Sequence, residues 1–400
     1  MSAGDRPGDA IADPTPAPDG SRSGAAPPAR PSAAAFVRGL GPDLRVVLPS
    51  WLAARALVVF AYVLATAVVH HHLPNGTTMH LELGPIAWDG SFYRDIAFDG
   101  YPREEALRFF PLYPGMGRAV AVLLLGQVDV ALVLVANAAS LAAAVVLRRL
   151  VLFEKGDAAL AERSVWVLAL FPSAFVLTWA YAEGLFLLLT IACLFAARRG
   201  WYAVAAVLGL LAALTRPLGV IMALPVAIEA LRTWRGADGR GRAARVVAVG
   251  APVAGLVSYL AWVGVRYGDP TVPFTWQSTY RAETIDPIRR LIMGFGDLLG
   301  PERFGDGLHV PFMLAFAGLL FVVGRRWPAS YTALAGCILL TAVSSENLNS
   351  LERYGLNAFP LVLAVAGITN TKRRERLALA VCGNGLLALT ALAWLTVYVP

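Results

Sequence analysis

Lysine is almost absent from this chain. Of 34 basic residues only Lys155 and Lys372 are lysines, so arginine carries nearly all the positive charge. Charge of either sign is scarce: 15% of the 400 residues are Asp, Glu, Lys or Arg, against 57% that are hydrophobic. That balance excludes a soluble domain of this length and fits a protein built from several membrane spans. Cysteine is rare as well. Cys193, Cys337 and Cys382 all fall inside apolar runs, where they read as small core residues and exclude an external disulfide or a metal site. No glycine-rich phosphate loop or other nucleotide signature is present, which leaves no machinery for ATP or a nucleotide sugar. The formal net charge of +7 is spread in short clusters. That pattern orients loops against a membrane and does not build a nucleic-acid surface.

Residues 1–40 are rich in Ala, Pro, Gly, Ser and Asp and have little to bury, so they read as a disordered cytoplasmic tail. They lack the layout of a cleavable signal peptide, and the first span serves as an uncleaved anchor. Residues 41–400 read as one all-α polytopic membrane domain. Apolar runs of about 17–25 residues place spans near 46–69, 128–150, 164–181, 183–198, 201–216, 217–232, 246–266, 308–324, 330–345, 356–371 and 377–398, about eleven in total. Leu107 to Gly126 is apolar but broken by Pro111, Pro114 and Arg118, and reads as an interfacial or re-entrant helix.

Arginine placement sets the orientation. Arg148, Arg149 and Lys155 share one loop, and Arg198 and Arg199 another. Arg232, Arg235, Arg240, Arg242 and Arg245 crowd a third, Arg325 and Arg326 a fourth, and Lys372, Arg373, Arg374 and Arg376 a fifth. With these spans all five fall on one side, together with Arg38 and Arg45, and the positive-inside rule makes that side cytoplasmic. Segments 70–113, 267–307 and 346–355 then face outward.

The outer face carries the chemistry. Trp88-Asp89-Gly90-Ser91-Phe92-Tyr93-Arg94-Asp95 runs on to Asp99-Gly100-Tyr101 and then Phe109-Phe110-Pro111-Leu112-Tyr113-Pro114. Ionised carboxylates are costly at bilayer depth, so this segment belongs on a membrane face. If it is helical after Asp89, then Phe92, Tyr93 and Ile96 share a face suited to the membrane surface. Asp89 itself has two readings: a helix N-cap, or a general base whose partial desolvation among aromatics tunes it toward accepting a proton. Glu183 follows Tyr181-Ala182, Arg216 precedes Pro217, and Arg353 precedes Tyr354. Each stands in an outer turn. A hairpin needs polar residues in any case, but three such turns on the side that holds Asp89 point to one shared site. Arg55 lies deep in the first span, where it pairs within the bundle or lines a cavity. The triplet His70-His71-His72 and His80 make a poor chelate, because adjacent rings point apart. No metal and no cofactor are expected.

These blocks resemble the PIG-V family of mannosyltransferases, with matching order and rough spacing over residues 45–370. The Trp88–Tyr101 and Phe109–Pro114 blocks carry most of the likeness. Tyr181-Ala182-Glu183, Thr215-Arg216-Pro217-Leu218-Gly219 and Arg353-Tyr354 with Phe359-Pro360 add to it. The eukaryotic pattern commonly has His three residues after the Asp; here that position is Phe92, and that role does not carry over.

The resemblance implies a GT-C-type bundle with a long first extracytoplasmic loop and a mannosyl donor carried on polyprenyl phosphate. It places the active site on the outer face and makes Asp89 the catalytic aspartate. The acceptor would be a glycolipid or cell-envelope glycan. A phosphate leaving group departs as an anion, so it needs fixed positive charge more than a general acid. Arg216 and Arg353 are the phosphate candidates, and Trp88, Tyr93, Asp95, Asp99, Tyr113, Glu183 and Tyr354 are the supporting ones. Membrane lipids are expected partners and nucleic acid is not; the eukaryotic member works with a helper protein, on which this sequence is silent. The competing class is a lipid or solute transporter. That reading calls for internal repeats and polar residues at mid-membrane, and the polar residues gather at one face instead.

Overall fold

A computed structural model describes residues 40–72, 79–281, 284–300 and 305–400. The expected tail therefore lies outside the described residues except for Leu40, which opens the first helix. Among the described residues the chain is helical, and its one extended contact is an isolated bridge between Thr284 and Ser345.

Five helices are long and apolar enough to cross a membrane: Leu40–His71, Val128–Lys155, Gly239–Tyr267, Asp306–Arg326 and Lys372–Trp394. Tyr202–Thr215 and Ala329–Val343 are shorter apolar helices. The chain is a multi-pass all-α membrane protein.

The eleven expected spans are not eleven continuous helices. The run 164–181 stops being α-helical at Leu170, because Pro172 drives Phe171 into an extended conformation with ψ of 141°. A single tight turn, Ala174–Leu177, follows. The run 217–232 opens with Pro217 in a tight-turn segment, Pro217–Met222, before the helix Ala223–Arg232. The run 356–371 is divided between Leu351–Asn357 and Pro360–Ile368. In each case a proline inside an apolar run removes a backbone donor and resets the helix. Leu107–Gly126 resolves into a turn, Glu104–Arg108, and a helix, Leu112–Leu123, whose last residues Val122 and Leu123 are exposed. The loop 267–307 holds two helices, Val272–Arg281 and Pro287–Leu299.

Contacts tie the basic loops together at one end of the bundle. Asp43 accepts from Arg148 and Arg149. Arg198 bridges Glu154 and Glu229, and Glu229 also accepts from Arg232 and Ser330. Lys155 donates to the Arg326 carbonyl, and Arg326 to that of Gly367. Glu183 opens the helix that Arg198 closes, and Arg216 caps the helix that Tyr202 opens beside Glu229. Glu183 and Arg216 thus stand at the ends of these helices opposite the basic cluster around Arg198 and Glu229.

Within the bundle Arg55 is fully engaged. It donates to Asn137 Oδ1 at 2.9 Å, Ser140 Oγ at 2.6 Å and the Leu177 carbonyl at 2.8 Å, over the Trp51 ring. Neutral oxygens of neighbouring helices, and no described carboxylate, satisfy it.

Candidate active site

The Trp88–Tyr101 block forms the helix Asp89–Asp99. Its N-cap is Trp88, held at φ of 57°, and no side chain caps it. Asp89 occupies the first helical position, and its carboxylate turns away from the helix end toward Arg353. Arg353 Nη1 donates to Asp89 Oδ2 at 2.7 Å and lies 3.5 Å from Glu183 Oε1. Glu183 in turn pairs with Arg216 Nη1. Four residues from four separate stretches of chain therefore form one alternating chain of charge: Asp89, Arg353, Glu183, Arg216.

Close backbone approach brings these turns together. A Cβ on Gly184 would sit 2.6 Å from the Ala136 carbonyl, and one on Gly219 would sit 2.3 Å from the Ala212 carbonyl. Only glycine lets the turns beside Glu183 and Arg216 press so tightly on their neighbours. The Ala180 amide donates to the Pro85 carbonyl at 2.8 Å and the Asp89 amide to the Tyr181 hydroxyl at 3.3 Å, which pins the Asp89 helix to the Glu183 turn.

Glu183 is 1% exposed and Arg353 is 8% exposed, while Asp89 keeps 24% of its side-chain surface. Asp89 is the most open member of the chain. Burial pushes its carboxyl up, but Arg353, then Arg108 and Arg216, outweigh burial and hold it below the usual carboxylate range. Burial likewise opposes the charge on Arg353, yet Asp89 and Glu183 hold that guanidinium well above its usual value. Two polar atoms at the centre are buried without a partner, Glu183 Oε2 and Arg353 Nε.

Residues 66–233 match the family model described as Mannosyltransferase (PIG-V). The match spans less than half of the chain. Over that stretch the chain is similar to this family. Two solved structures are similar in outline. One is the Archaeoglobus fulgidus oligosaccharyltransferase in complex with Zn and sulfate: 14% identity, TM-score 0.45, covering 84% of this chain and 53% of that one. The other is the archaeal oligosaccharyltransferase AglB from Archaeoglobus fulgidus, in complex with an inhibitory peptide and a dolichol-phosphate. It shares 13% identity at a TM-score of 0.44, covering 84% of this chain and 56% of that one. The chain thus spans about half the length of these structures. No curated protein matches.

The other residues singled out from sequence fall into different places around this centre. Trp88 is half-buried, stacked against His80 at 3.9 Å, and its indole donates to the Ala393 carbonyl. Tyr93 does not lie on a membrane surface as its helical spacing suggests. Tyr93 and Ile96 are buried in a core with Tyr113 and Leu132, because the helix packs its apolar face inward against Leu112–Leu123. Tyr113 is fully buried and donates to the Leu132 carbonyl, so it supports Tyr93 from beneath. Asp95 pairs with Arg103 and Arg94, and Asp99 is exposed; neither makes an ion pair with Arg216 or Arg353. Tyr354 is buried under the Arg281 guanidinium at 4.4 Å.

Two arginines emerge that sequence spacing did not single out. Arg281 donates to Ser345 Oγ and the Asn349 carbonyl while covering Tyr354. Arg108 lies over the Tyr280 ring at 3.9 Å and the Phe109 ring at 4.6 Å, with its Nε unpartnered. Neither forms an ion pair with a described carboxylate. The only hint in the sequence was that Tyr280-Arg281 stands in the loop 267–307, which arginine placement led one to expect outside, and Arg108 next to Phe109-Phe110.

Proposed function

We propose that the protein transfers a mannosyl residue from a polyprenyl-phosphate donor to a glycolipid or cell-envelope glycan acceptor on the extracytoplasmic face. The reading adopts a GT-C-type mechanism with direct, inverting displacement. One observation carries it: an ionised, partly open aspartate at one end of the bundle, ringed by more guanidinium than carboxylate. The PIG-V match over residues 66–233 takes in Asp89, Glu183 and Arg216, and supports mannose as the sugar.

In this mechanism the acceptor hydroxyl oxygen attacks the anomeric carbon and the bond from that carbon to the phosphate oxygen breaks. The bonding pair leaves with the polyprenyl phosphate, and the hydroxyl proton passes to Asp89. Because Arg353 lowers the carboxyl pKa, Asp89 is a weak base in the resting site but is ionised at every physiological pH. It accepts the proton late, once the attacking oxygen has acquired positive charge. The donor is a phosphodiester with one negative charge; the leaving phosphate monoester gains a second. Four guanidiniums, Arg108, Arg216, Arg281 and Arg353, face two carboxylates, Asp89 and Glu183. The surplus charge therefore favours the departing phosphate over the bound donor, which is the condition for acceleration.

The test is transfer from radiolabelled polyprenyl phosphate mannose by the purified protein, followed by identification of the labelled product. GDP-mannose supplied without any lipid carrier should give no product; efficient use of it would overturn the reading. A transporter would instead place its polar cluster at mid-membrane, and here the cluster stands at helix ends.

A further inference from the structure

The Asp89–Arg353 pair is flanked by two residues in a backbone region that non-glycine residues rarely occupy. Trp88, directly before Asp89, has φ of 57°, and Ser350, three residues before Arg353, has φ of 68°. Such conformations persist only where the surroundings over-determine them. Both are held by the same short stretch of chain. The Trp88 indole donates to the Ala393 carbonyl at 2.9 Å, and Ser350 Oγ donates to the Pro400 carbonyl at 2.8 Å. Ser350 Oγ also accepts from Arg353 Nη2 at 3.1 Å, so the segment reaches the guanidinium through one hydroxyl.

Two further contacts fix each half of the site to the same segment. Trp394 Nε1 donates to the Gly84 carbonyl at 2.9 Å, on the side that carries Asp89. Tyr398 donates its hydroxyl to Glu352 Oε2 at 2.9 Å, on the side that carries Arg353. Glu352 is fully buried, and its other partner is His309 Nδ1 at 2.9 Å. Glu352 is thus a fully buried carboxyl outside the transfer step, with His309 and Tyr398 as its side-chain partners.

We infer that the segment Ala393–Pro400 is a strap that sets the Asp89–Arg353 geometry, with Trp394 and Tyr398 as positioning residues for the transfer. The strap rests on the reading of Asp89 as the base. It emerges from the span Lys372–Trp394 and contacts both turns, one about 300 positions away in sequence and the other about 50. Neither positioning residue touches the reacting atoms; each holds a turn whose strained residue would otherwise relax and swing Asp89 or Arg353 out of line.

The experiment uses the full chain in detergent or proteoliposomes, with Tyr398→Phe, Trp394→Phe and Asp89→Asn measured beside the unaltered protein. Tyr398→Phe removes one oxygen and Trp394→Phe one N–H donor, so both proteins should fold; thermal unfolding of each sets the folded fraction. Per folded molecule, kcat should fall roughly 10- to 100-fold in each, the scale of a misplacement near 1 Å, with KM for polyprenyl phosphate mannose within about twofold.

The acid limb of kcat should also move to higher pH in Tyr398→Phe, because Arg353 would hold Asp89 less closely. Asp89 faces Arg353, Arg108, Arg216, Arg281, Glu183, Tyr93 and Tyr181; of these Arg353 is the one hydrogen-bonded to Ser350, which the strap holds, so a shift reports on that contact. In an Arg353→Lys background Tyr398→Phe should cost much less, since both changes disturb one contact. Unchanged kcat per folded molecule in both strap variants, with Asp89→Asn inactive, overturns the strap and leaves the reading of Asp89 standing. An active Asp89→Asn overturns both.

Discussion

Asp89 and Arg353 lie 264 positions apart in the chain and meet through a hydrogen bond of 2.7 Å. The pair joins an early segment of the chain to a late one, and Glu183, 3.5 Å from the same Arg353 nitrogen, ties in the middle. A carboxylate held by a guanidinium that is itself shared with a second carboxylate has little freedom to rotate. That suits a reaction in which one oxygen must point at an incoming hydroxyl.

Asp89→Asn should abolish turnover while leaving the protein inserted and folded. Asparagine keeps the size and the hydrogen-bond acceptor but takes no proton, and loss of a general base costs ~10²–10⁴ in rate. Capping does not explain Asp89, since Trp88 occupies the N-cap position. Asp95→Asn and Asp99→Asn, whose carboxylates pair elsewhere or face solvent, should stay within about threefold of the unaltered rate. A dead Asp95→Asn or Asp99→Asn beside an active Asp89→Asn would move the base to another position on this helix.

The pH dependence has a definite sign. Arg353, Arg108 and Arg216 hold the Asp89 carboxyl below its usual range against the opposing effect of burial. The carboxylate form is therefore present, and its contribution to stability intact, above the unfolded-state pKa of about 3.9. That contribution is lost as pH falls through the lower folded-state value. Activity should show no acid limb between pH 5 and 7 from this group. Arg353→Gln removes the nearest cation and leaves burial less opposed, so the limb should move up, by about one pH unit or more. A limb that moves down, or stays fixed, would show that Arg353 does not set the charge of Asp89.

Much of this site was legible in the sequence because its members sit in turns between apolar runs, where a charged residue needs a reason. Asp89, Glu183, Arg216 and Arg353 could each be singled out that way, and the fold brings all four together. Spacing did not reveal the direction of the Asp89 pKa: neighbouring aromatics argue for a rise, and the arginines that reverse it are distant in sequence. Nor could a helical spacing tell an inward from a lipid-facing apolar face, which is why Tyr93 and Ile96 turn out buried. The broken helices had their signal in Pro172, Pro217 and Pro360, but hydropathy summed over a window hides a single proline.

The two polar ends of the bundle give a topological prediction. The basic loops are joined by Arg198, Glu229 and Lys155 at the end opposite Asp89. If the positive-inside rule governs, reporter fusions ending near Gly100 and Tyr280 should read as external and one ending near Gly239 as internal. An external Gly239 fusion would invert the protein and put the proposed site in the cytoplasm.

Arg281 and Arg108 supply the final prediction. Arg216 and Arg353 each already pair with a carboxylate, so part of their charge is committed before any substrate arrives. Arg281 contacts a hydroxyl, a carbonyl and an aromatic ring, and Arg108 stacks on Tyr280 and Phe109; neither forms an ion pair with a described carboxylate, which makes them the phosphate ligands this prediction tests. Arg281→Ala should raise KM for polyprenyl phosphate mannose about 10-fold or more, the scale of one charge-assisted hydrogen bond, with a smaller change in thermal stability. Arg281→Lys should recover part of the loss, since a point charge serves a phosphate but not the bidentate fork. Arg216→Ala differs, because it strands the buried Glu183 beside Arg353 and should lower stability as well as activity. Donor KM unchanged in Arg281→Ala and in Arg108→Ala would assign the phosphate to the ion-paired arginines instead.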